Sequence, residues 1–116
     1  MKQGEIYWVE LGTARGHQQA GRRPAVVLQR ESVSQRLPTV LMVPLTTRLD
    51  ALRFPGTVLI EPSEQNGLRR ASVALVFQLT AVDAQFIQEY MGTLSNEELA
   101  AIFRALDELI AAQPNV

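Results

Sequence analysis

The chain has 116 residues and a mass of 12.9 kDa, with 47% hydrophobic and 20% charged residues. That is the make-up of one ordinary globular core, expected to span residues 1–116. It holds no cysteine and a single histidine, His17, which excludes disulfides, thiolate nucleophiles, iron–sulfur clusters and zinc sites built on cysteine or paired histidines.

The net charge of −1 is unevenly spread. Residues 1–72 carry ten Lys/Arg against six Asp/Glu, whereas residues 73–116 carry one arginine against six acids. Such asymmetry fits a basic working surface backed by an acidic structural segment, or two differently solvated faces. No apolar run approaches bilayer-spanning length, and the start of the chain lacks the basic-then-apolar layout of a signal peptide. A cytoplasmic location, no membrane partner, no metal site and no cofactor are therefore expected.

In chain order, residues 5–11 (EIYWVEL) alternate and are aromatic and β-branched enough for a strand. Residues 24–29 (PAVVLQ) and 39–45 (TVLMVPL) are continuous apolar runs, expected of strands buried on both faces. Further strands are expected at 57–61 and 72–79, separated by an Asn66-Gly67 turn. Asp83 can cap a short helical turn at 84–86, ahead of another extended stretch at 87–93. Ser95 and Glu98 then form a capping box, with Leu94 and Leu99 at the positions of a hydrophobic staple. Leu99, Ile102, Phe103, Leu106, Leu109 and Ile110 recur at helical spacing, and Pro114 marks the end. Short strands with Gly/Pro turns favour a small closed or half-closed barrel, α+β but mainly β, with a long C-terminal helix.

Two loops could carry chemistry. Residues 12–23 (GTARGHQQAGRR) combine three arginines, three glycines and His17 in a connection that is long for two strands. Residues 46–54 (TTRLDALRF) follow a buried strand and bring Thr46 and Thr47 together with Arg48 and Arg53. Two hydroxyls facing a basic loop could hold a phosphate; equally, such threonines often only satisfy turn backbone.

Residues 16–29 (GHQQAGRRPAVVLQ) closely resemble the signature of the MazF/PemK toxins, in which a glycine–glutamine loop leads into Arg-Pro and an apolar strand. Residues 4–9 (GEIYWV), 43–47 (VPLTT), 72–83 (SVALVFQLTAVD) and 92–99 (GTLSNEEL) resemble further blocks in family order. The resemblance implies an SH3-like twisted antiparallel barrel that works as a homodimer. It also implies a sequence-specific, metal-independent endoribonuclease that cuts single-stranded RNA by attack of the ribose 2′-hydroxyl, inhibiting translation and growth. A cognate antitoxin with an acidic C-terminal tail is the implied protein partner.

Carried over by residue, Arg23 matches the family's catalytic arginine before proline, and Thr46 its catalytic threonine. His17 lies where some members place a proton-carrying histidine and others a serine. Gln19 and Gln78 match polar positions suited to reading base edges. Arg22, Thr47, Arg48, Arg69 and Arg70 would add contacts to the RNA backbone. The position before Gln78 is often acidic in the family and is Phe77 here; the position two beyond is often basic and is Thr80 here. Phe77 could stack on a base, but a core position is expected for it in so apolar a strand. Two other readings remain open. CcdB-type toxins, which bind DNA gyrase, have a similar barrel, and an inactive SH3-like interaction module would share it too.

Overall fold

The computed structural model describes residues 1–12 and 21–114. Its strands are β1 (Glu5–Glu10), β2 (Arg22–Val27), β3 (Thr39–Thr46), β4 (Thr57–Ile60), β5 (Ser72–Leu75), β6 (Thr80–Asp83) and β7 (Ile87–Thr93). Two α-helices, α1 (Glu31–Ser34) and α2 (Asn96–Ile110), join them, with 3₁₀ turns at Leu49–Arg53, Val76–Gln78 and Ala84–Phe86. The strands form one antiparallel sheet in the order β4-β5-β3-β2-β1-β7, with β6 also on β3. This is the α+β, mainly β, barrel-like arrangement that the pattern of short strands predicts.

β2 and β3 lie mid-sheet and have apolar side chains on both faces. Val26, Val43 and Leu45 point into one core with Ile6, Ile60, Ala74, Leu94 and Ile102; Ala25, Val27 and Met42 point into a second with Val9, Val40 and Val82. Because successive side chains on a strand alternate in direction, only strands covered on both sides carry unbroken apolar runs. The first core is closed by α2. Its start is pinned by the expected capping box, in which the Glu98 amide donates to Ser95 Oγ and the Ser95 amide donates to Glu98 Oε1. Leu94 is buried and Leu99 packs against the same core, as a staple requires. The far end of the stripe is less covered, and Phe103, Leu109 and Ile110 are exposed.

The expected strand at 72–79 is divided. β5 pairs with the end of β3 at Leu45↔Ala74, and β6 pairs with its beginning at Met42↔Thr80. In the first register Met42 would face Phe77, so the chain has moved on by three residues. Those three are the 3₁₀ turn Val76–Gln78. β5 and β6 thus act as one strand beside β3, with a three-residue bulge pushed out between them. Val76 enters the core beneath α2, whereas Phe77 is 38% exposed, not a core residue as its apolar neighbours suggest. The helix α1 was not expected either; four residues are too few to show a period.

Asn66 is fully buried at the expected turn, and its side chain is used at both ends. Oδ1 accepts from the amides of Ser63 and Leu68, while Nδ2 donates to the Glu61 carbonyl and to Glu98 Oε2. The turn is thereby tied to the helix cap. Its backbone also lies directly against β7, where a Cβ on Gly92 would overlap the Asn66 carbonyl. Neither partner is the loose end of a side chain. Gly92→Ala should therefore destabilise the fold by about 3 kcal/mol, near the upper end of overpacking effects; a urea midpoint within error of the parent's would contradict this close approach.

Candidate RNA-cleavage site

The two residues expected to meet the phosphate stand at neighbouring strand ends. β2 and β3 pair at Val27↔Met42, Val26↔Val43 and Ala25↔Pro44. The same register continued by two residues sets Arg23 across from Thr46. Alternation places both on the face of Ala25, Val27 and Met42. Arg23 is partly buried and paired with Val9 of β1 on its other side.

Thr46 is only 4% exposed and opens into a cavity of about 130 Å³ shared with Arg48, Asp50, Ala51, Arg53, Phe54, Leu75 and Phe77. Its Oγ1 accepts a hydrogen bond from the Arg48 amide at 3.2 Å. This is the turn-satisfying role common for such threonines. The bond uses a lone pair and leaves the hydroxyl proton to donate elsewhere. It also fixes the rotamer, so the hydroxyl is held and not merely present.

The adjacent threonine faces the other way. Thr47 is exposed and lines a larger cavity of about 430 Å³ with Trp8, Pro24, Gly67, Leu68, Arg69, Arg70, Ser72 and Met91. Period-2 alternation has therefore split Thr46 and Thr47 between two sites. Arg69 and Arg70 bring positive charge to the second.

The candidate RNA contacts have distinct surroundings. The Arg22 guanidinium lies 4.3 Å from the centre of the Trp8 ring; Nη2 pairs with Glu89 at 2.6 Å and Nε donates to Gln88 at 2.8 Å. It bridges β2 to β7 across β1, so part of its charge is already answered by a carboxylate. Arg48 is 79% exposed and stands 3.9 Å from Asp50, which also pairs with Arg53 at 2.9 Å. Gln78 ends the bulge and is partly buried. His17 and Gln19 lie outside the described residues.

Among the described residues, no three His, Cys, Asp or Glu side chains gather as metal ligands, and no helix is long and apolar enough to cross a membrane. Tyr7 has its pKa pushed up to about 12, first by burial and then by its hydrogen bond to Glu5. It therefore stays neutral through the physiological range and is poorly suited to take up a proton.

Three residues at the rim gave little sign of their place in the sequence. Phe54 and Phe77 pack with ring centres 5.5 Å apart, and the Arg53 guanidinium sits 4.6 Å from the Phe54 ring centre. Asp50 ties the two arginines beside them. An aromatic at the end of a loop and another within an apolar run look like core residues until the bulge is seen.

The rim of the sheet thus gathers arginines, a held hydroxyl and exposed rings, groups that can pair with phosphate and stack on planar rings. Comparison with known proteins places the chain. Residues 2–110 match the family model of the PemK-like, MazF-like toxin of type II toxin–antitoxin systems. A curated relative, Endoribonuclease MazF of Staphylococcus saprophyticus, is 30% identical over 107 residues, covering 92% of this chain and 88% of its own. In the solved structures, MazF from Deinococcus radiodurans superposes with a TM-score of 0.78 at 24% identity, covering 94% of both chains. An endoribonuclease from a mycobacterial species in complex with its cognate antitoxin superposes at 0.75 and 20% identity, over 98% of this chain and 99% of that one. At those identities the structures speak for the fold. The chain belongs to the PemK-like, MazF-like toxin family.

The bridge made by Arg22 generates a test of its own. Arg22→Gln should lower stability by about 1 kcal/mol, the sum expected of a partly exposed ion pair and a surface cation–π contact. Urea titration measures this, and an unchanged midpoint would show that the bridge contributes nothing to the fold.

Proposed function

We propose that this chain is the endoribonuclease toxin of a type II toxin–antitoxin pair, acting in the cytoplasm on single-stranded messenger RNA at a short defined sequence. The observation that supports the reading is the register of β2 and β3, which, continued two residues beyond Ala25↔Pro44, would set Arg23 and Thr46 at one rim on one face. Family membership and the curated relative's name supply the reaction class.

The step proposed for the site needs no nucleophile from the protein. The ribose 2′-oxygen bonds to the adjacent phosphorus as the bond from phosphorus to the 5′-oxygen breaks. One proton leaves the 2′-hydroxyl and one reaches the departing oxygen. The products are a 2′,3′-cyclic phosphate and a 5′-hydroxyl. Arg23 supplies a permanent, planar cation to a phosphate whose equatorial oxygens gain charge in the transition state. Thr46 donates its hydroxyl proton to a non-bridging oxygen, its orientation set by the Arg48 amide. His17 is the proposed proton carrier, its ordinary pKa near 6.5 suited to that work. Gln19 and Gln78 would read base edges, and Arg22, Thr47 and Arg48 would hold the backbone of the strand.

Cleavage should persist in EDTA, with 5′-hydroxyl ends detected on the products. Arg23→Ala should lower the rate about 100- to 1,000-fold, the usual cost of losing one preorganised donor. Thr46→Val should cost about 10- to 100-fold, with Thr46→Ser keeping more activity than Thr46→Val. Loss of cleavage on chelation, or full activity in Arg23→Ala, would refute the mechanism.

The partners follow from charge and cover. The arginine-rich rim suits a disordered acidic tail of an antitoxin, which would occupy the RNA's place. Apolar side chains left exposed on this chain, among them Leu41, Leu49, Leu52 and Phe86, suit burial against a second copy in a homodimer. Sedimentation should therefore give a mass of two chains, and an acidic antitoxin peptide should displace labelled RNA from the particle. A monomer at micromolar concentration would contradict the dimer, and peptide and RNA bound together at full affinity would contradict the shared groove.

A further inference from the structure

The exposed pair Phe54 and Phe77 is the feature that the fold and the proposed chemistry leave without a use. The chain goes to some length to form it. The three-residue bulge Val76–Gln78 interrupts the ladder along β3, and bulges commonly re-aim side chains beside functional sites. Phe77 is held there by its own amide, which donates to the Gly56 carbonyl at 3.1 Å. Phe54 is held by its amide to the Ala51 carbonyl at 3.0 Å, and its own carbonyl accepts from the Thr57 hydroxyl at 2.8 Å. The two rings tilt at 56° and remain 36% and 38% exposed, so packing on one another does not cover them.

Both rings line the cavity into which Thr46 opens, and Arg48 and Arg53 line it as well. Asp50 answers part of that positive charge, which leaves two guanidinium groups against one carboxylate. The cavity thus offers aromatic surface, net positive charge and a hydroxyl in one small space. A nucleobase attached to a phosphate matches that combination. Its flat face stacks on any ring, while its backbone is drawn by the arginines. An aliphatic side chain from another protein would fill the space but gain nothing from the charges.

Resting on the nuclease reading, we propose that Phe77 and Phe54 form a stacking shelf for the nucleobase adjoining the scissile phosphate, making Phe77 a specificity-determining residue.

The test compares the parent chain with Phe77→Leu, Phe77→Tyr and Phe54→Leu. Each protein cuts the same pool of messenger RNA, and the 5′-hydroxyl ends are sequenced. kcat/KM is then measured on an oligonucleotide carrying the parent's preferred sequence. Phe77→Leu should lower kcat/KM by about 5- to 150-fold, the span of base–aromatic stacking, and relax the preference at one nucleotide position. Phe77→Tyr should keep both, because the ring remains, and Phe54→Leu should weaken the same position. An abasic site at that position should bring the parent down to the level of Phe77→Leu. Equal kcat/KM for the parent and Phe77→Leu overturns the shelf and leaves the nuclease reading standing. A parent that cuts no RNA overturns that reading and the shelf with it. A fall in oligomeric mass for Phe77→Leu in sedimentation would assign the rings to an interface between copies, and that outcome also overturns the shelf.

Discussion

The proposed rim chemistry depends on β2 and β3 pairing in one register, and packing on both faces enforces that register. A slip of one residue in β2 would carry Val26 into the core opposite α2 and Ala25 and Val27 into the core beneath it, spoiling the fit of both. Each misfit of that kind costs about 1–3 kcal/mol, so several at once approach the stability of a small domain. Apolar packing in the middle of the two strands therefore fixes the positions of polar groups at their ends. The same alternation explains why Thr46 and Thr47, adjacent in sequence, serve different cavities.

The sequence is most legible where local chemistry and packing ask for the same thing. The capping box at Ser95 and Glu98 is complete within four residues, and the structure reproduces it. The Asp83 cap behaves likewise, with its carboxylate accepting from the Gln85 amide. The unbroken runs of β2 and β3 announce strands covered on both faces, and the structure covers both. The expected strand ends are off by one or two residues; β2 begins at Arg22, so the Arg-Pro pair sits inside the strand and not before it.

Legibility fails where tertiary packing alone decides. Residues 72–83 (SVALVFQLTAVD) contain no glycine or proline, so nothing local marks a break. The break arises because β5 and β6 must serve the two halves of β3 while Val76 enters the core under α2 and Val82 enters the core on the other side. A regular strand cannot do both in that length. The bulge takes up the difference, and Phe77 at its apex meets solvent as a consequence. The surroundings of Arg22 are hidden for a related reason: the sequence shows its charge, but not Trp8 beneath it and Glu89 at its end. An RNA phosphate bound through Arg22 would compete with the Glu89 pair.

Charge distribution adds a constraint that no single contact expresses. α2 carries Glu97, Glu98, Asp107 and Glu108 against Arg104 alone. The first two suit the positive end of the helix dipole, and Glu98 also completes the cap. Asp107 and Glu108 sit in the last turns, where the dipole disfavours acids by about 0.3–1 kcal/mol each, and no basic residue offsets them there. Local helix stability therefore does not explain these two. A polyanion approaching the molecule is repelled by such a helix and attracted by Arg48, Arg53, Arg69 and Arg70, which line the two rim cavities. Screening confines this to roughly 8 Å at physiological salt, so it orients an RNA strand at close range and does not gather it from afar. The acids that weaken the end of α2 thus narrow the surface over which a strand can settle. In the proposed mode of binding, the sign of the charge on each part of the chain selects the rim, and the strand register then decides which groups a phosphate meets there.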